Sequence, residues 1–437
     1  MSKNILLITT DQQSATMMSC TGNPNLHTPN IDNLANNGIR FEKSYAAQPL
    51  CIPQRNSWYT GLMPHEHGLT FNLPKKEVAA SSTMGSIFKD ANYMTGYSGK
   101  WHVNIAENDV AKHGFEWTSN LRCNGADENI VGDFKRFLVK KEDGPFLFSA
   151  SFNNPHNICE SASGLAAADG HPVLFENLDQ LPDLPDNFDI PENEPSVLRE
   201  IQDMYRGMNY PTQNWDETRW RMHRWFYCRM TELVDAHIGN LMKVLDEQGL
   251  SDDTLVVFTS DHGDGNAHHH WNQKQVLYDE SAQVPFIISM PNSGLNLIEG
   301  RQLVNTGIDL IPTLCGLAEI SCPDYLKGVD WSGVTNDSIN SMQRDHLVVE
   351  TEFGTFGKPA DCLGRCVRTP KYKYMVYSRG ENREFFVDME KDPGEMVNLA
   401  KDESSQQELQ NHRDLLVNYI KESKDIFPIE LVSNKTC

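Results

Sequence analysis

Short apolar runs that do not alternate constrain this chain most. Asn4 to Thr10, Phe146 to Phe152 and Thr254 to Ser260 are each almost unbroken in apolar and β-branched residues. A strand with one face in water alternates polar and apolar residues, so an unalternated run suits a central parallel strand covered on both faces. Each run also ends in polar residues: Asp11-Gln12, then Asn153-Asn154-Pro155-His156, then Asp261-His262. A fourth stretch, from Tyr93 to Tyr97, leads into Ser98-Gly99-Lys100-Trp101-His102. In open α/β sheets, sites form at the carboxyl ends of strands. The expected fold is therefore α/β, with a large mixed, mostly parallel central sheet sandwiched by helices.

Between these runs, Ser86 to Asn92 reads as a short helix. Trp225 to Gln248 has the helical period, with Met230, Val234, Ile238, Leu241 and Leu245 on one face and Gly249 as its cap. Val284 to Met290 reads as a strand, Asp309 to Ala318 as a helix, and Leu347 to Thr351 as a last strand of the large sheet. Residues 160–195, rich in Pro, Asp, Glu and Gly, read as a surface excursion. Past that point Cys366 to Tyr377 and Glu384 to Asp388 look like hairpin strands, and Gln406 to Lys421 like a closing helix. At 437 residues the chain exceeds what one core holds. The expected division is an α/β catalytic domain over 1–355 and a smaller C-terminal subdomain, an antiparallel sheet plus helix, over 356–437.

A formal net charge of −22 argues against nucleic acid, which selects basic faces. It also disfavours a long polyanion, but not a small anion in a local basic pocket. No apolar run approaches the roughly 18–20 residues of a membrane span. The run Ile5-Leu6-Leu7-Ile8, directly after Met1-Ser2-Lys3-Asn4, is too short for a signal sequence, so the chain as it stands reads as cytoplasmic. A chain trimmed of a leader would read the same and would be periplasmic or secreted. The ten cysteines are scattered with no CxxC pair, so reduced thiols are expected.

One of those cysteines opens Cys51-Ile52-Pro53-Gln54-Arg55, followed by Asn56-Ser57-Trp58-Tyr59-Thr60-Gly61. Alone the pattern is weak, since short motifs recur by chance and free cysteine is commonly just buried. Its neighbours strengthen it: Thr28-Pro29-Asn30-Ile31-Asp32 and Gly38-Ile39-Arg40-Phe41 before it, Leu62-Met63-Pro64-His65 after it. Together these residues resemble the type I sulfatases of the alkaline phosphatase-like superfamily, in which such a cysteine is oxidised to Cα-formylglycine. The tail agrees, with Val367-Arg368-Thr369-Pro370-Lys371-Tyr372-Lys373-Tyr374 and Phe386-Val387-Asp388 through Pro393-Gly394-Glu395 to Asn398-Leu399.

The resemblance implies a metal site of Asp11, Gln12, Asp261 and His262 together with the modified Cys51. Carboxylate and amide oxygens are the ligands Ca²⁺ prefers. Many members have aspartate where this chain has Gln12 and asparagine where it has His262; the softer imidazole keeps Mg²⁺ and Mn²⁺ open. The implied catalytic set is Cys51, Arg55, Lys100, His102, His156 and Lys274. In that mechanism the hydrated aldehyde attacks sulfur in line, His156 with Lys274 protonates the leaving alcohol, and His102 deprotonates the second hydroxyl to expel sulfate. Lys100 and His102 would point the same way in extended chain. His269, in the triplet His268-His269-His270, falls where a site-lining histidine is common, and Trp101 is a candidate to stack on a sugar. The expected substrate is a small-molecule or oligosaccharide sulfate ester, most simply a carbohydrate one, and Pro53 and Arg55 would be read by a formylglycine-generating maturation enzyme. Two alternatives accompany this reading: a phosphonate monoester hydrolase or phosphodiesterase of the same superfamily, which generally lacks the Lys-x-His pair, and a catalytically silent binding member. The oligomeric state stays open.

Overall fold

Alternate side chains of the buried runs pack on opposite faces, and both faces are covered. Ile5, Leu7, Leu147 and Val257 face one layer, where Ile52, Trp58 and Tyr59 meet Leu310, Ile311 and Leu314. Leu6, Ile8, Phe146, Phe148, Val256 and Phe258 face the other, against Ile130, Phe134 and Phe137 and against Val234, Ile238, Leu241 and Leu245. The period of two along each strand sends successive residues to opposite layers, which is why these runs do not alternate.

The computed structural model describes residues 3–72, 77–78, 80–122, 126–141, 143–162, 178–203, 212–334, 343–353 and 361–432. The described strands are β1 (Asn4–Asp11), β2 (Gly38–Phe41), β3 (Ser44–Tyr45), β4 (Met94–Lys100), β5 (Trp117–Arg122), β6 (Phe146–Pro155) and β7 (Thr254–Ser260). They continue as β8 (Phe286–Ser289), β9 (Leu297–Glu299), β10 (Val304–Asn305), β11 (Leu347–Phe353), β12 (Cys362–Arg368), β13 (Tyr372–Tyr377) and β14 (Glu384–Asp388). The large sheet has the order β5-β4-β6-β1-β7-β8-β2-β9. Its strands are parallel except β8, which runs against both β7 and β2. A smaller antiparallel sheet has the order β11-β12-β13-β14 and packs against the helix Gln406–Ser423 through Val348, Val367, Phe386, Leu409 and Leu416.

Two expectations change. The strand around Leu347 does not finish the large sheet; Leu347–Phe353 pairs antiparallel with Cys362–Arg368 along its whole length. An apolar run states that a strand is buried, not which neighbour buries it. The long helix begins at Glu217 rather than near Trp225, because Asp216 caps it through Arg219 N, 2.8 Å away, and Trp220 and His223 supply buried positions for the added turns. Residues 163–177 of the acidic, proline-rich stretch 160–195 lie outside the described residues, as do Cys123 and Cys437. The other eight cysteines are free. Among the described residues, no helix is long and apolar enough to cross a membrane.

Candidate active site

The sheet order makes β4, β6, β1 and β7 four adjacent strands, and each delivers a different group at its carboxyl end. Lys100 closes β4, His156 follows β6, Asp11 closes β1, and Asp261 and His262 follow β7. The fifth contribution is the helix Cys51–Thr60, which begins on Cys51 and buries every residue. Its polar side chains find partners. Gln54 accepts from Ala47 N at 2.8 Å and donates to Thr306 Oγ1 at 3.0 Å, Asn56 accepts from Asn104 N at 3.0 Å, and Ser57 lies 3.1 Å from His67 Nε2. Most buried polar groups in folded proteins are paired, and these pairs fix the helix's rotation and so aim Cys51.

Cys51 Sγ lies 3.2 Å from His262 Nε2, 3.2 Å from Lys274 Nζ and 3.8 Å from Asp11 Oδ1. Arg55, one turn on, donates Nε to Asp261 Oδ2 at 2.8 Å and Nη1 to Ser151 Oγ at 2.8 Å, and reaches Asp11 Oδ2 at 3.4 Å. Lys100 Nζ pairs with Asp11 Oδ2 at 2.7 Å, and His156 Nε2 stands 4.0 Å from Asp11 Oδ1. Lys274 Nζ also donates to Gln12 Oε1 at 2.9 Å. The sequence thus named Asp11, Gln12, Cys51, Arg55, Lys100, His156, Asp261, His262 and Lys274, and the fold brings them into one buried cluster.

A family model described as Sulfatase matches residues 3–320. The chain belongs to the sulfatase family. A second family model, described as N-sulphoglucosamine sulphohydrolase, C-terminal, matches residues 267–422. The chain is 31% identical to a Delta 4,5-hexuronate-2-O-sulfatase of Bacteroides thetaiotaomicron, over 97% of this chain and 89% of that protein. It is 30% identical to an Ulvan-active sulfatase of Formosa agariphila, over 91% of this chain and 76% of the other. Among solved structures, a 2-O GAG sulfatase superposes with a TM-score of 0.85 at 29% identity, covering 97% of this chain and 93% of that one.

Sulfatases carry a divalent cation and a formylglycine, and the donor set of this sulfatase fits both. One ligand atom each from Asp11, Cys51, Asp261 and His262 lies within 4.8 Å of the others. His262 Nδ1 is 2.9 Å from Gly263 O. A carbonyl only accepts, so Nδ1 carries a proton and Nε2 is the ring nitrogen that faces the cluster, where it would offer its lone pair to a bound cation. Cys51 Sγ marks where the oxygens of the oxidised residue would stand.

The electrostatics are those of an anion pocket. Burial would raise the Asp11 carboxyl, but Lys100, His156, Lys274 and Arg55 hold it well below the usual carboxylate range. Burial and the adjacent Asp11 charge push Asp261 up to about 6. Burial and Asp11 work against ionisation of Cys51 as well, yet Lys274, His262 and Lys100 outweigh them and hold the thiol well below its ordinary value. Burial, then Lys100 and Lys274, depress His156 to about 4. Three basic side chains (Arg55, Lys100, Lys274) face two carboxylates, and a divalent cation would add positive charge to the pocket inside a chain of net charge −22.

Three sequence expectations read differently in the structure. Trp101 is core rather than a sugar platform. It is 4% exposed, lies 5.3 Å from His113 and 4.9 Å from Tyr97 ring to ring, and its Nε1 donates to Ile105 O at 2.9 Å. His102 does not continue the strand; β4 stops at Lys100 and His102 takes a left-handed φ of 48°, so the pair is not set by extended-chain geometry. His269 is buried, stacked on Tyr278 at 3.9 Å with Nε2 3.5 Å from Glu280. Sequence reasoning also missed Ser151, Cys159, Tyr227 and Asp264. Ser151 sits inside an apolar run and Asp264 directly behind Asp261-His262-Gly263, which was the available signal.

Proposed function

We propose that this sulfatase hydrolyses carbohydrate sulfate monoesters with a Cα-formylglycine made from Cys51 and a bound Ca²⁺. The observation that carries the reading is the placement of Cys51 Sγ, 3.2 Å from both His262 Nε2 and Lys274 Nζ. The residue at 51 therefore lies between the carboxylate and imidazole donors on one side and the cationic groups on the other. Asp11, Gln12, Asp261 and His262 would hold the cation. Bound there, it and the hydrated aldehyde supply a charge-stabilised oxygen nucleophile and a route for releasing sulfate. Two carboxylates and an amide outnumber the single imidazole, a donor set that suits hard cations, with Mg²⁺ and Mn²⁺ as the alternatives to Ca²⁺.

The chain's own residues bind, orient and move protons. Lys100 and Lys274 hold the sulfate oxygens, and preorganised cations aimed at developing charge are the strongest device available to such a site. Arg55 fixes the Asp11 and Asp261 carboxylates to each other. His156 gives a proton to the departing alcohol oxygen with Lys274 beside it, and His102 takes one from the residue at 51 when sulfate leaves. The relatives named above act on 2-O-sulfated hexuronates, ulvan and glycosaminoglycan, which makes sulfated uronate-containing oligosaccharides the first substrates to try.

Cys51 is 1% exposed, Arg55 is fully covered and Pro53 is buried. Maturation therefore acts on the unfolded chain, and folded, unmodified protein should resist its maturation enzyme. The test is the mass of the tryptic peptide Ser44 to Arg55 from protein made in its native host, followed by a panel of sulfate esters against phosphodiesters. An aldehyde at 51 with turnover of sugar sulfates is expected. An intact cysteine from that host would sink the mechanism and favour a silent member, and a preference for diesters would favour the phosphonate hydrolase reading.

A further inference from the structure

The Gln12 amide can face its site in two ways, and they are opposite in polarity. One end accepts hydrogen bonds and binds cations; the other donates and repels them. In this sulfatase Gln12 Nε2 donates to Asp264 Oδ2 at 2.6 Å, and Gln12 Oε1 accepts from Lys274 Nζ at 2.9 Å and from Cys159 Sγ at 3.5 Å. The backbone beneath is held in the left-handed region, φ 71°, by Gln12 N donating to Asp261 Oδ1 at 3.1 Å and by the Tyr227 hydroxyl donating to Gln12 O. With the backbone pinned, only the side-chain torsions decide which end points at the cluster.

Asp264 is itself a rigid partner. It is fully buried, accepts from Asn266 N on Oδ1 at 2.7 Å and from Gln273 N on Oδ2 at 3.1 Å, and faces His223 Nε2 at 3.8 Å. An ionised carboxylate only accepts, so the amide end that meets it must be the NH₂. Gln273 directly precedes Lys274, so the same carboxylate tethers the backbone that carries the active-site ammonium.

We infer that Asp264 is a positioning residue that sets the polarity of the Gln12 amide toward the cation and Lys274, so that residues 12 and 264 work as a matched pair. The inference rests on Gln12 being a metal ligand, as proposed above. It has a counter-intuitive consequence. Placing a carboxylate at 12 adds negative charge beside a cation, which simple charge counting says should tighten binding. Yet Gln12→Glu puts two buried carboxylates at hydrogen-bonding distance, where they either repel each other off position or take up a shared proton that cancels the added charge. Asp264→Asn alone offers an NH₂ of its own, which favours the flipped amide.

The test is Ca²⁺ titrated calorimetrically into EDTA-stripped full-length protein, with urea unfolding of the same samples and kcat and KM of the matured enzyme. Variants are Gln12→Ala, Gln12→Glu, Asp264→Asn and the double Gln12→Glu/Asp264→Asn, in which the amide introduced at 264 can donate to the carboxylate introduced at 12. Losing an outer-sphere partner of this kind weakens metal binding about 10–100-fold. That loss is expected for Asp264→Asn and for Gln12→Glu, while the double variant recovers at least about tenfold over Gln12→Glu, a coupling that independent effects cannot produce. Additive losses, or an Asp264→Asn protein that is less stable yet binds Ca²⁺ as tightly as the parent, would overturn the inference. Should Asp264→Asn fail to fold, Gln12→Glu alone decides, because tighter Ca²⁺ binding there refutes it. Gln12→Ala separates the two levels. If it binds Ca²⁺ normally, Gln12 is no ligand and both readings fall; if it binds weakly while Asp264→Asn is normal, only the positioning role fails.

Discussion

The proposed general acid, His156, has an ionisation that bound substrate should shift. Burial, Lys100 and Lys274 hold its pKa at about 4, so it is neutral in free enzyme near pH 7. A general acid must carry its proton. A sulfate ester lodged against Lys100 and Lys274 would offset the charges that expel that proton, so substrate and proton arrive together. We expect the pH profile of kcat to show this group titrating at a higher pH than the profile of kcat/KM does; coincident limbs would remove the coupling. The same shift has a stability consequence. The folded pKa lies below the ordinary histidine value of 6.5, so the unfolded chain binds more protons between about 4 and 6.5. Stability contributed by neutral His156 is complete above that window and is lost as pH falls through it. EDTA-stripped wild type should lose more Tm between pH 7 and pH 4.5 than His156→Gln, measured by thermal unfolding. Lys274, which touches both Cys51 and Gln12, should cost about 10²–10³ in kcat when replaced by Met; a raised KM with kcat unchanged would reassign it to binding alone.

Among the elements, the Cys51 helix depends on how closely it meets the helix Thr306–Ala318. Gly307 marks the contact: a Cβ there would stand 2.5 Å from Ala47 Cβ and 3.1 Å from both Gln54 Oε1 and Ser57 Cβ. Gln54 and Ser57 are the residues whose hydrogen bonds set the helix's rotation. Gly307→Ala should therefore cost about 1–3 kcal/mol of stability by overpacking, and activity should fall further than stability explains because Cys51 is re-aimed. Urea melts alongside kcat check this, and an active, unchanged variant would show that the helices can part. The element scale is also where sequence reading slipped. Leu347–Phe353 is as apolar as a strand of the large sheet, yet its partner is Cys362–Arg368. Hydrogen-bonding partners along a strand edge leave no mark in side-chain composition.

Across the whole molecule, the small sheet is tied to the region behind the active-site helix by buried charges. Arg365 binds Asp425 through Nε at 2.6 Å and Nη2 at 2.5 Å, and lies 3.8 Å from Glu350 Oε2. Glu350 in turn meets His65 Nδ1 at 2.5 Å, just beyond the end of the Cys51 helix. Arg365→Met leaves two buried carboxylates without their cation and should destabilise by about 3–5 kcal/mol, seen in urea unfolding; a shift under about 1 kcal/mol would mean water reaches the network. The net charge of −22 acts over longer range. It repels a polysulfated substrate more than a monosulfated one, so KM for the former should fall as ionic strength rises toward about 0.15 M, where the Debye length is about 8 Å. A KM for both that ignores salt would place the substrate's path outside the protein's general field.

Much of the site was legible because its chemistry is local. Burial on both faces writes itself into an unalternated run, and a polar residue at the end of such a run has few reasons to be there other than capping or chemistry. That logic marked the strand ends that carry Asp11, Lys100, His156 and Asp261, the resemblance to the sulfatases singled them out from ordinary capping residues, and the Cys51 to Arg55 motif pointed to the segment that meets them. Other features depended on contacts between distant residues. The order β4-β6-β1-β7, which makes four separate strand ends neighbours, comes from packing between segments as much as 250 residues apart, as in the hydrogen bond from Ser260 Oγ to Thr10 O. Whether an aromatic such as Trp101 lies open or in the core, and which end of the Gln12 amide faces the cation, depend on the groups that surround them. A chain specifies through its own residues what each segment can bury and which charges it can offer; only the folded contacts decide which of those charges meet, because desolvation and pairing energies exist only where the partners are brought together.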